Sequence, residues 1–154
     1  VRKDHQMNSQ EVIDCIGKSE ESSEVQRLFA ALKFTKKLKM PKDDIDVRAE
    51  FPKLGLSLIF KPESPKSSRL IMSAAKFVSS AEKGNTSFQG DLPGQLAFSD
   101  IQADAREKLG PPVDGDPDLR LDIWSFGKLR LAIKYAKAAP SPIAVITVQL
   151  PPHS

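Results

Sequence analysis

The sequence predicts an α+β domain in which two tandem α-β-β-β repeats form a shared antiparallel sheet with helices on one face. Three observations predict it. FPKLGLSLIF at 51–60 returns as FGKLRLAIKY at 126–135, with Phe, Lys, two leucines, an aliphatic residue and a closing aromatic in the same register. SEVQRLFAALKF (23–34) and SDIQADAREKLG (99–110) both open with Ser, an acid, a β-branched residue and Gln. Each of those stretches is followed by three segments that read as strands. Period-2 alternation is common in hairpins, so chance likeness is the competing account of the repeat.

Residues 1–8 are expected to be a flexible N-terminal segment, with 1–6 a vector remnant ahead of a natural start at Met7. SQEVIDCIG (9–17) reads as a short helix with Val12, Ile13 and Ile16 on one face and Gly17 as its stop. In the first repeat (23–77), Ser23 is the expected N-cap, and Val25, Leu28, Phe29 and Leu32 make an apolar stripe at helical spacing. Strands are expected at 45–51, 54–60 and 69–77. In the second repeat (99–150), Ser99 is the expected N-cap, and Ile101, Ala105, Lys108 and Leu109 make a thinner stripe, closed by Gly110 and Pro111. Strands are expected at 119–126, 129–135 and 143–150. Pro52-Lys53 and Gly127-Lys128 are short enough for hairpin turns, which makes the pairing antiparallel. One three-stranded sheet under one helix buries too little to stand alone, so both repeats belong to a single domain at 9–154.

One register resists this scheme. Ile45, Val47 and Ala49 are the apolar set of the first strand, but their counterparts are Arg120, Asp122 and Trp124, while Leu119, Leu121 and Ile123 take the other parity. A one-residue slip or a bulge would reconcile the copies, and the face of Trp124 stays open.

The 154 residues are 40% apolar and 28% charged, ordinary values for a soluble globular chain. No apolar run approaches the roughly 18 residues of a membrane span. The start has no apolar core of a secretory signal, and the single Cys15 cannot form an internal disulfide, so a cytoplasmic setting is expected. A net charge of +3 is too small to imply nucleic acid.

Chemistry is sparse. His5 and His153 stand at the extreme ends, which leaves no positioned imidazole for a triad or a zinc site beside Cys15. Cys15 itself reads as a small buried hydrophobe. GPPVDG places prolines where a phosphate loop needs free amides. DGDPD (114–118) alternates acids like a calcium loop but has Leu119 in place of the required Gly and Ser125 in place of the bidentate Glu; it reads as a solvated turn. The lysines of KFTKKLKMPK (33–42) are followed by Asp43, Asp44 and Asp46 and read as a solvated helix end. The sequence therefore predicts no enzyme, no cofactor and no metal.

A tandem of this size resembles the β-lactamase-inhibitor-protein architecture, in which two repeats form one curved sheet that grips an enzyme. The segment GDLPGQLAFSDIQADAREKLGPP (90–112), with the strands after it, is similar to immunity proteins of bacterial polymorphic toxin systems. Their pattern is LP-x-x-L-x-F, a short helix, LG-x-P, a Trp strand and a closing strand. It is met here by Leu92, Pro93, Leu96, Phe98, Leu109, Gly110, Pro112 and Trp124, within residues 90–154. The resemblance implies a cytoplasmic protein that neutralises a cognate toxin by occlusion, with no nucleic-acid or membrane partner. A cell-envelope enzyme inhibitor or assembly factor of the same repeat type is the alternative. Immunity proteins against nucleases are often acidic, and this slightly basic chain points away from a nuclease target.

If Leu129, Leu131, Ile133 and Tyr135 face the helices, Arg130, Ala132 and Lys134 line the uncovered side of the sheet. A polar, shallow surface of that kind suits a macromolecular partner better than a small molecule. Arg120, Trp124, Arg130, Lys134 and Tyr135 are the candidate partner contacts, as residue types fit for interfaces, with loops 61–69 and 83–95 beside them.

Overall fold

Helices begin in this chain where a side chain can take up a free backbone group. Asn8 Oδ1 accepts from the Glu11 amide at 3.1 Å and opens α1 (Ser9–Ile13); Ser22 Oγ accepts from the Val25 amide at 3.2 Å and opens α2 (Ser23–Ala31). α3 (Gln102–Leu109) opens differently. Its third residue, Asp104, reaches back to accept from the Ile101 amide at 3.0 Å, and Gly110 closes it in a positive-φ conformation. The caps are thus Ser22 and Ile101, not Ser23 and Ser99: the expected cap falls one residue late in α2 and two residues early in α3.

The computed structural model describes residues 8–38, 46–64 and 66–151. Met7, Lys39, Lys42 to Ile45 and both histidines fall outside those residues. Among the described residues the chain forms these three helices and one seven-stranded sheet. The strands are β1 (Val47–Phe51), β2 (Leu56–Pro62), β3 (Leu70–Val78), β4 (Asp114–Asp116), β5 (Leu121–Phe126), β6 (Leu129–Tyr135) and β7 (Ile143–Gln149). Their order across the sheet is β1-β2-β3-β7-β6-β5-β4, and every neighbouring pair is antiparallel. β4 falls in the stretch expected to be a solvated turn; only Pro117–Leu119, a single 3-10 turn, keeps that character.

Alternation decides which side is filled. Ala49, Leu58, Ala75, Val148, Leu131 and Trp124 stand opposite one another in one row across six strands, and all are buried. They share a core with Val12 of α1, Val25, Leu28 and Phe29 of α2, and Ala105 of α3, so the helices occupy one face. Phe29 sets its ring 5.7 Å from Phe60 of β2 and 4.9 Å from Phe34. Each fully buried Leu, Ile or Phe in this layer contributes roughly 1.5–3 kcal/mol relative to exposure.

Two irregularities shape the sheet. β3 carries an extra residue, Ser73, where pairing shifts between Ile59 and Phe60; β7 carries Ala144 where it shifts between Lys134 and Tyr135. The hairpin between β1 and β2 is also longer than Pro52-Lys53. It uses residues 52–55 and ends at Gly55, whose φ is +63°. A Cβ there would run into Thr86 O, Phe88 N and Val78 O, so glycine is required on two counts.

Parity in β5 needs no slip. Asp122 and Trp124 face the helices, and the more apolar pair, Leu121 and Ile123, faces away.

Candidate partner-binding face

The side of the sheet without helices is read row by row from the pairing. One row runs Glu50, Ser57, Lys76, Thr147, Ala132, Ile123 and Asp114, from one edge of the sheet to the other. A second runs Arg48, Ile59, Ala74, Gln149, Arg130 and Ser125, and a third Val78, Val145, Lys134, Leu121 and Asp116. Leu121, Ile123 and Val145 are half-exposed here and take no part in the helix-side core. Ile123 stands opposite Ala132 of the next strand, and Lys134 stands in the row between Leu121 and Val145, so apolar and cationic side chains alternate here, with Arg130 and Lys76 nearby. Negative charge sits at the two edges of this face, Asp114 and Asp116 on β4 and Glu50 on β1. The middle of the face is basic.

Lys76 is half-buried. Burial, followed by the charges of Arg48 and Lys134, holds its ammonium below the ordinary lysine value, while Glu82 and Glu50 pull the other way. A groove of about 530 Å³ opens beside it, between Arg48, Glu50 and Ser57 on the sheet and Glu82 to Asn85 of the following loop. The charge is therefore already partly desolvated, which lowers the cost of covering it.

The five expected contacts separate on this geometry. Arg130 is half-exposed and Lys134 exposed, and both lie on the open face as expected. Trp124 and Tyr135 do not. Trp124 is 3% exposed and its Nε1 donates to Gly110 O at 2.8 Å, pinning the end of α3 to β5. Tyr135 is 3% exposed and its hydroxyl donates to Asp122 Oδ2 at 3.1 Å. These aromatics are core residues because the helix side is the only place their rings are covered. Arg120 is neither core nor face. It sits in a left-handed turn after the 3-10 segment, and its Nε donates to Tyr135 O at 3.1 Å. The open-face residues that sequence reasoning left out are Leu121 and Ile123, and the signal was their parity.

Behind the face lies a buried carboxylate. Asp122 accepts from Arg106 Nε and Nη2 at 3.1 and 2.9 Å, from Gln102 Nε2 at 3.1 Å and from Tyr135. Burial pushes its carboxyl up, but the hydrogen bonds from Arg106, Gln102 and Tyr135 and the Arg106 charge outweigh that and hold it below the ordinary aspartate value. The Tyr135 phenol is driven up by burial and by Asp122. Three side chains converge on one acid, which makes this a clamp of α3 onto β5 and β6.

The loops differ as well. At the loop end of the β2–β3 hairpin Glu63 N donates to Arg69 O at 2.8 Å. In the 83–95 stretch, only the part near Lys83, Gly84 and Asn85 borders the open face. Phe88 is buried with its ring 4.9 Å from Phe77, Leu92 and Leu96 pack on the helix side, and Pro93 is buried between them in sequence. The LP-x-x-L-x-F and Trp residues that carry the resemblance are thus packing residues. Cys15 is buried; burial and then the nearby Glu24 and Asp14 charges push its thiol up.

No family model, curated protein or solved structure matches this chain. Among the described residues, no helix is long and apolar enough to cross a membrane.

Proposed function

We propose that this chain is a binding module that docks its open sheet face onto an acidic protein surface, and that it serves as an immunity protein occluding a cognate bacterial toxin. The observation that carries the first part is that half-exposed Leu121, Ile123 and Val145 are interleaved on this face with Lys134 and lie near Arg130 and Lys76. Apolar side chains interleaved with arginine and lysine on a broad open sheet suit a protein surface better than a small molecule, which favours a deep apolar cavity. A rigid sheet also orders little backbone on binding, which favours affinity. The second part rests on the sequence pattern of residues 90–154.

We further infer that the sheet is a duplicated unit, β1-β2-β3 and β5-β6-β7 around a pseudo-twofold between Lys76 and Thr147. The two bulges support it, since Ile59/Phe60 and Lys134/Tyr135 hold the same places in the repeated motif. So does a matched pair of hydrogen bonds: Leu150 N donates to Ser73 O at 3.0 Å, and Ser79 N to Ala144 O at 2.9 Å. One sequence shift carries Ser73 onto Ala144 and Ser79 onto Leu150.

The functional test is co-expression with the protein encoded beside this one, scored for rescue of growth and for co-purification. Protection together with a stable complex is the expected result. A neighbour that is not toxic, or that does not bind, removes the immunity reading.

A further inference from the structure

The two edges of the sheet are not equivalent. β4 is three residues long, carries two aspartates and a glycine and runs straight into Pro117, all features that discourage pairing with another strand. β1 is longer, has neither proline nor glycine, and pairs with β2 alone among the described residues. Its sequence, Val-Arg-Ala-Glu-Phe, is chemically palindromic: apolar, cationic, small, anionic, apolar.

We propose that β1 pairs antiparallel with β1 of a second copy of this chain, Ala49 against Ala49, joining the two sheets about a twofold axis. In that register Arg48 stands opposite Glu50 of the second copy and Glu50 opposite its Arg48. Both side chains are exposed and on the open face, so two ion pairs form side by side. On the helix face, half-buried Val47 meets Phe51 of the other copy, and the reverse, extending both cores. Other registers are worse. A shift by two residues sets Arg48 against Arg48 or Glu50 against Glu50, and a shift by one turns the helices of the copies to opposite sides and exposes the apolar pair. The complementarity therefore selects one partner, an identical strand, in one register.

The contact is small beside a standard interface of roughly 800 Å² per partner, so the dimer is concentration-dependent. It is independent of the toxin reading, because it is measured on the chain alone.

The test is sedimentation equilibrium on the full chain with Arg48→Glu and Glu50→Arg, folding followed by circular dichroism. The parent should dimerise, and each single reversal should raise the dissociation constant by about tenfold or more, since two opposite pairs become two like pairs. An equimolar mixture of the two single variants should dimerise again, as each supplies the charges the other lacks. If a single reversal unfolds the chain, the double variant R48E/E50R carries the same test: it should dimerise with itself and not with the parent. A parent that stays monomeric up to about 1 mM, or a dimer indifferent to these charges, overturns the proposal.

Discussion

Tyr135 Oη donates to Asp122 Oδ2 at 3.1 Å, a bond between two buried side chains thirteen residues apart on neighbouring strands. Arg106 grips the same carboxylate from α3 with two nitrogens, at 2.9 and 3.1 Å. The helix that covers the second half of the sheet is therefore tied down by one acid placed where a sheet normally buries an aliphatic residue. α3 needs that tie, because its apolar face is thin: within the helix only Ala105 is fully buried.

Replacing Asp122 with Asn should cost about 2 kcal/mol, because charge-assisted bonds are lost and donors are left poorly matched. The discount for the half-exposed Arg106 is included in that figure. The carboxyl is held below its ordinary value of about 3.8, so its contribution is present above that pH and is lost as pH falls through the lower folded value. Urea unfolding of both proteins from pH 7 to pH 2, followed by the fluorescence of the single Trp124, should show the two curves converging below about pH 4. A constant gap across that range would show that the charge of Asp122 is irrelevant.

Tyr135 predicts the opposite limb. Burial, then the Asp122 charge and hydrogen bond, raise the phenol in the folded state, so its contribution is present below about pH 10 and is lost as pH rises through the folded value. Tyr135→Phe should cost about 1.5 kcal/mol at pH 7 and should lose less stability than the parent above pH 10. Phenolate absorbance near the parent's unfolding pH is the direct check.

Gly55→Ala should destabilise by about 2 kcal/mol or more, since it combines a left-handed backbone with a methyl driven into three backbone atoms. Gly127, also at positive φ but with nothing near its missing Cβ, is the control and should lose only about 1 kcal/mol. Equal losses at both sites would mean that the loop at 86–88 yields.

Much of this fold was legible because alternation is a local signal. β6 falls at 129–135, and the other expected strands differ by a few residues at their ends. What escaped was set by distant partners. Asp122 is tolerable on a buried face only once Gln102, Arg106 and Tyr135 are known to converge on it, and nothing local in LRLDIWSF announces that. With Asp122 turned inward, Trp124 on the same parity lies in the core, and Leu121 and Ile123 lie outside. β4 escaped because DGD has the composition of a turn and becomes a strand only by lying beside β5. The caps Ser22 and Ile101 were missed for a smaller reason: serine runs and a side chain reaching backward leave the first helical residue ambiguous by one or two positions.

The central claim, that the open face is the binding surface, is tested most directly by calorimetric titration of the cognate toxin with folded variants. Ile123→Ala and Lys134→Glu should each weaken binding by about tenfold or more, the first by removing an apolar contact and the second by opposing an acidic surface. Glu107→Lys, on the exposed side of α3 at the back of the sheet, should bind as the parent does. Full affinity in both face variants, together with weakened binding in the α3 variant, would contradict the account and move the interface to the helices.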